Sequence, residues 1–140
     1  MGAGATVKYK HLMHYAKRIA NPTLAQLFAE NITELGEDVQ EPKPGERMGS
    51  SDMGNVSQLV PSIHPYVVIA DPGVGGHTPE FATASASERG NQALLRSAKA
   101  MAMTAVELMT QPDLMAQAKA EFSDMVDFDE SWREQRFFNR

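Results

Sequence analysis

Hydrophobic positions along the chain change period several times, and each change marks an element. Residues 6–16 alternate, with Val7, Tyr9, His11, Met13 and Tyr15 on one face and Lys8, Lys10, Leu12 and His14 on the other. A period of two predicts a strand, with both faces mixed. The period then turns helical. Asn21 supplies an N-cap oxygen, Pro22 suits the first helical position, and Leu24, Leu27, Phe28, Ile32 and Leu35 form one apolar stripe that Gly36 is placed to end. Residues 37–46 have no periodicity and read as a surface loop. Ser50 or Ser51 could cap a short helix over residues 52–59, weakened by Gly54 and stopped by Pro61.

Tyr66-Val67-Val68-Ile69-Ala70 is an unbroken apolar run rich in β-branched residues and closed by Asp71-Pro72-Gly73. Such a run predicts a fully buried central strand. Thr78 and Pro79 open a helix with Glu80 in its first turn, and a pause follows over residues 84–90. A long helix is predicted over residues 91–110, with Leu94, Leu95, Ala98, Met101, Ala102, Ala105, Val106, Leu108 and Met109 making a broad apolar face. Pro112 starts another helix through Leu114, Met115, Ala118, Phe122 and Met125. Met101, Met103, Met109, Met115 and Met125 are expected to fill gaps in the core. Residues 127–140 mix aromatics and charges without a period. The expected architecture is α/β, helices packed on a small sheet, or α+β if this stretch folds alone.

Composition narrows the function classes. The chain has 140 residues, a net charge of −5 and 42% hydrophobic residues. That length suits one domain, and the acidic balance leaves no basic stripe for nucleic acid. With no cysteine, disulfides and thiolate metal sites are excluded, so any zinc would use nitrogen and oxygen ligands. No run of apolar residues is long enough for a membrane span, and the expectation is a soluble cytoplasmic protein.

Candidate chemistry lies in three stretches. In Gly73-Val74-Gly75-Gly76-His77-Thr78-Pro79-Glu80, a glycine-rich loop delivers His77 to a helix start, a position suited to a ligand and equally to a plain surface residue. In Gly49-Ser50-Ser51-Asp52-Met53-Gly54-Asn55, backbone N–H groups at a helix start could hold a substrate carboxylate; alternatively Asp52 and the serines only cap the helix. His64 precedes Pro65 at the mouth of the predicted central strand, where a metal ligand, an oxyanion donor and a structural histidine are all open. His11 and His14 point to opposite faces of a strand and form no metal pair. Nucleophile elbows, phosphate loops and dinucleotide fingerprints are absent.

Gly49-Ser50-Ser51-Asp52-Met53-Gly54-Asn55-Val56-Ser57, then Val60-Pro61-Ser62-Ile63-His64-Pro65, then Gly76-His77-Thr78-Pro79-Glu80 resemble, in order and spacing, motifs of the dinuclear zinc aminoacylase and carboxypeptidase family. The likeness is to its amidohydrolase branch, which contains p-aminobenzoyl-glutamate hydrolases and β-alanyl-lysine-type dipeptidases, and runs from about residue 20 to 123, including the stretch from Leu94 to Leu108.

The resemblance implies hydrolysis of an amide bond in an N-acyl amino acid or dipeptide-like substrate, with two zinc ions activating a bridging water and a neighbouring glutamate as general base. It implies an α/β catalytic domain interrupted by a lid that often dimerises. On that template residues 1–20 are a remnant of the lid, its last strand; residues 21–126 are the C-terminal part of the catalytic domain, and residues 127–140 a tail. His77 matches the final metal ligand. Asp52 and Asn55 lie on the substrate side, and His64 in a motif characteristic of the branch.

The family's HxD motif and Glu-Glu pair have no counterpart here. A catalytic zinc takes three protein ligands, so His77 alone is not expected to hold one tightly, and Glu80, Asp71 and Asp52 are poor substitutes. No catalytic residue is assigned. The expectation is a C-terminal fragment, inactive alone, that assembles as a homo-oligomer through open strand edges. The alternative is a non-catalytic α+β binding or assembly module.

Overall fold

The computed structural model describes residues 4, 6–10, 15–40 and 49–126. Its helices are α1 (Pro22–Glu34), α2 (Met53–Val56), α3 (Pro79–Ser85), α4 (Glu88–Thr110) and α5 (Pro112–Met125). α1, α4 and α5 pack on one another, and α3 lies against α4.

The helix starts follow capping chemistry. At α1, Asn21 Oδ1 accepts from the Leu24 N–H at 3.0 Å and Pro22 has no N–H to satisfy. Thr78 Oγ1 accepts from the Phe81 N–H at 3.2 Å to open α3. α4 begins three residues before the expected Asn91, because Ser87 Oγ accepts from the Gly90 N–H at 3.1 Å and Glu88 sits in the first turn. Residue 90 has no room for a side chain: a Cβ there would lie 2.6 Å from the Ser85 carbonyl oxygen. The pause expected over residues 84–90 is therefore a tight corner between α3 and α4.

The core is built on small and large residues facing each other. Ala100 of α4 is fully buried against Phe28 and Ile32 of α1, with Leu35, Ile63 and Val67 packed around them. A methyl side chain at 100 permits close helix approach. Beside it Asn31 donates to Thr104 Oγ1 at 3.1 Å and to Glu107 Oε2 at 2.8 Å, satisfying a buried amide across the α1–α4 interface. Just beyond α1, Glu37 pairs with Arg96 of α4.

The expected α/β class, helices on a small sheet, is wrong, and α+β fails with it: among the described residues there is no strand. Two physical reasons are visible. A strand needs a neighbouring backbone to satisfy its N–H and C=O groups; at Ala16, the last residue of the strand expected over residues 6–16, and at Lys17 and Ile19 just beyond it, side chains take that place. Ala16 N–H donates to Asn55 Oδ1 at 2.7 Å, Ile19 N–H donates to Ser57 Oγ at 3.0 Å, and Gln58 Nε2 donates to the Lys17 carbonyl at 2.6 Å. Residues 66–70 form no ladder and are not fully buried. Val67 turns to the core while Tyr66 and Val68 are 64% and 62% exposed. In the strand expected over residues 6–16, residues 11–14, with His11 and His14, lie outside the described residues; Val7 and Tyr9 are exposed and unladdered. Most of the expected loop at 37–46 and the segment 127–140 also lie outside them.

The methionines depart from expectation too. Met103 and Met115 are half-buried, but Met101, Met109 and Met125 are exposed.

Candidate functional site

An open groove of about 460 Å³ runs between residues 16–20, residues 49–51 with Met53, and residues 62–64. Its walls meet because α2 is fastened to the extended segment before α1. A Cβ on Gly54 would fall 2.0 Å from the Ala16 carbonyl oxygen, so only glycine lets the two backbones touch. Ser57 Oγ donates to the Gly54 carbonyl at 2.9 Å while accepting from Ile19 N–H. The third wall is tied in by Asn21, whose N–H donates to the Ser62 carbonyl at 2.9 Å.

His64 stands on this third wall with Arg18 opposite. Arg18 NH1 lies 3.0 Å from His64 Nδ1 and donates to Tyr66 Oη at 3.0 Å, and the His64 and Tyr66 rings stack with centroids 5.2 Å apart. A guanidinium can only donate, so Nδ1 is the acceptor and the imidazole proton sits on Nε2. Arg18 also lies over the Tyr66 ring, 5.6 Å from its centroid. The groove thus holds an imidazole N–H and a cation, with the Ser50 hydroxyl on another wall, donors suited to an anionic or carbonyl oxygen.

Asp52 and Asn55 are not among the residues lining the groove, though both are next to its walls in sequence. The capping role open to Asp52 is taken by Ser51, whose Oγ accepts from the Met53 N–H at 3.1 Å and donates to Asp52 Oδ1 at 3.3 Å. The Asp52 side chain makes no capping bond and is exposed. Asn55 spends Oδ1 on the Ala16 N–H, which fixes the groove wall.

His77 is not among the residues lining the groove. It is exposed at the end of the glycine-rich loop, with φ of 64°, in the left-handed region that a β-carbon disfavours. The loop is held behind it by Thr78 Oγ1, which donates to the Gly75 carbonyl at 2.9 Å. Among the described residues no group of three or more His, Asp or Glu could hold a metal ion. His77, Asp71 and Glu80 do not converge, so these residues do not by themselves fit a catalytic zinc.

Sequence reading singled out His64, Asp52, Asn55 and His77 but missed Arg18 and Tyr66. Arg18 and His64 are 46 positions apart, and no local pattern links them. Among the described residues no helix is long and apolar enough to cross a membrane.

No family model matches the chain. Its similarity is to dipeptidases. The relatives are the Xaa-Arg dipeptidase of Mus musculus, 37% identical over 128 residues, and that of Homo sapiens, 35% identical over 128 residues. Both alignments cover 87% of this chain, but only 29% and 28% of the relatives. The chain thus spans less than a third of the length of the curated relatives it matches.

Proposed function

We propose that this chain is the C-terminal portion of a metal-dependent hydrolase that cleaves the amide bond of a dipeptide-like or N-acyl amino acid substrate. The observation that carries the reading is its 37% identity with an Xaa-Arg dipeptidase over most of its own length. The groove supports it with donors of the right kind. In this reading the Nε2–H of His64 meets a substrate oxygen, the exposed Asp52 carboxylate faces a substrate cation, and Asn55 shapes the wall between them.

His77 is proposed as one metal ligand of a site whose other ligands come from polypeptide beyond these 140 residues. Zinc is the metal proposed, as two ions in the intact enzyme; with one candidate ligand here, no catalytic step is assigned to it. Residues 1–20 are assigned to a lid or dimerisation region, residues 21–126 to the catalytic domain and residues 127–140 to a tail. A cytoplasmic homo-oligomer belongs to the same reading.

The test is hydrolysis. Xaa-Arg dipeptides and N-acyl amino acids are assayed with added zinc, using the chain alone and the chain mixed with the part of the mouse relative that it does not match. Turnover is expected only in the mixture. If neither substrate class is cleaved there, the hydrolase reading fails and a non-catalytic assembly role replaces it.

A further inference from the structure

The most apolar face of α4 is turned to solvent. Leu94, Ala98, Met101, Ala105 and Met109 follow one helical row, broadened by Leu95, Ala102 and Val106. None of these is buried, and Leu94, Met101 and Met109 are 68%, 63% and 82% exposed. The face that does pack on α1 is the smaller one, carrying Ala93, Ala100 and Thr104. Charged residues Glu88, Arg96 and Lys99 stand outside the row and leave it uninterrupted for about 22 Å at 1.5 Å per residue. A continuous apolar stripe of this length on a folded chain marks an interaction surface.

What covers it follows from the comparison with longer relatives. An alignment over 87% of the chain contains the whole of α4 wherever it begins. In the mouse relative the matched segment is 29% of the protein, so an α4 equivalent there belongs to a chain more than three times as long. We infer that the Leu94–Met109 face docks the polypeptide equivalent to the unmatched part of those relatives, through burial of this apolar row. This rests on the hydrolase reading and names its partner.

Methionine oxidation tests it without any turnover. The full chain is treated with dilute hydrogen peroxide, alone and with a large molar excess of the mouse Xaa-Arg dipeptidase lacking the matched segment. Oxidation is then followed residue by residue by mass spectrometry. In the complex Met101 and Met109 should oxidise at least about fivefold more slowly, since sulfoxide formation follows exposure. The pair Met101→Glu and Met109→Glu should leave the helical circular dichroism of the isolated chain unchanged and abolish complex formation. Unchanged oxidation rates in the excess overturn the inference. So does protection that grows with the chain's own concentration without the partner, which would assign the face to a second copy. Protection without hydrolysis keeps this docking surface while the enzymatic reading fails; hydrolysis without protection does the reverse.

Discussion

The carboxylate of Glu121, near the end of α5, closes the start of α1 through Thr23. It accepts from the Thr23 N–H at 3.0 Å and from Thr23 Oγ1 at 2.8 Å, with Gln117 Nε2 donating from the preceding turn at 3.1 Å. Thr23 N–H is one of the donors a helix start leaves unpaired, and a negative charge there also suits the helix dipole. The backbone bond from Thr23, more than the side-chain bonds, holds the Glu121 carboxyl below the ordinary glutamate range. A lowered native value adds stability that is present above the ordinary value of about 4.3 and is lost as pH falls through the native one. Glu121→Gln should therefore lower the urea midpoint at neutral pH, with the gap to the parent chain closing as the solution is acidified. A gap that stays constant down to strongly acid pH would remove the carboxylate from this account.

Asn21 shows why residue type at a cap cannot be read from capping preference alone. Asn and Asp cap helices about equally well. Here, however, the side chain is 1% exposed and its Nδ2 donates to the Ala118 carbonyl at 2.8 Å, while its amide also supports the Glu121 carboxylate. Asn21→Asp keeps the capping oxygen, removes the donor and sets a second carboxylate beside the first. It should destabilise the chain by about 1–3 kcal/mol, the cost of leaving buried acceptors unpaired, as measured by chemical denaturation at neutral pH. A neutral outcome would show that the α1–α5 junction is looser than these bonds imply.

Gly54→Ala tests the seam between α2 and residues 16–19. The new methyl group would meet the Ala16 backbone at a distance no relaxation of a side chain can relieve. The two backbones must part, weakening the bonds from Ala16 and Ile19 to Asn55 and Ser57. A loss of at least about 2 kcal/mol is expected from overpacking and weakened hydrogen bonds. Amide exchange should accelerate at Ala16 and Ile19 before it does in α1.

Arg18→Ala tests the His64 arrangement. With the donor gone, the contact that makes Nδ1 the acceptor and keeps the proton on Nε2 is lost. Nitrogen-15 spectra of the imidazole at alkaline pH should show a single Nε2–H tautomer in the parent chain and a mixture in the variant. Identical spectra would mean that Arg18 does not orient the ring.

What the sequence disclosed, and what it hid, divides along the range of the interactions involved. Asn21-Pro22, Thr78-Pro79 and Pro112 place helix starts within a few residues, and the structure has them there. The strand at residues 66–70 was misread because an apolar run states that residues avoid water, not which backbone lies alongside; here Val67 alone reaches the core cluster and Tyr66 turns to Arg18. Likewise Ala16, the end of the strand expected over residues 6–16, and Lys17 and Ile19 just beyond it bond to Asn55, Gln58 and Ser57, partners that no periodicity reveals. The candidate site follows the same division: the single residues His64 and His77 were visible, and the Arg18–His64–Tyr66 contact was not.

His77 separates a backbone role from an imidazole role in one position. Its φ of 64° is the left-handed region, which costs a residue with a β-carbon about 1–2 kcal/mol and a glycine little. Glycine brings its own entropic cost of about 0.5–1 kcal/mol, so His77→Gly should leave stability unchanged or raise it by up to about 1.5 kcal/mol. His77→Val adds a branch at the β-carbon where none is tolerated and should cost about 1 kcal/mol or more. If the imidazole is also a metal ligand in the assembled hydrolase, the two variants must agree on activity while differing in stability: both should lose at least about a hundredfold in turnover. A glycine variant as stable and as active as the parent would leave His77 as a turn residue only, and the metal assignment would have to move elsewhere.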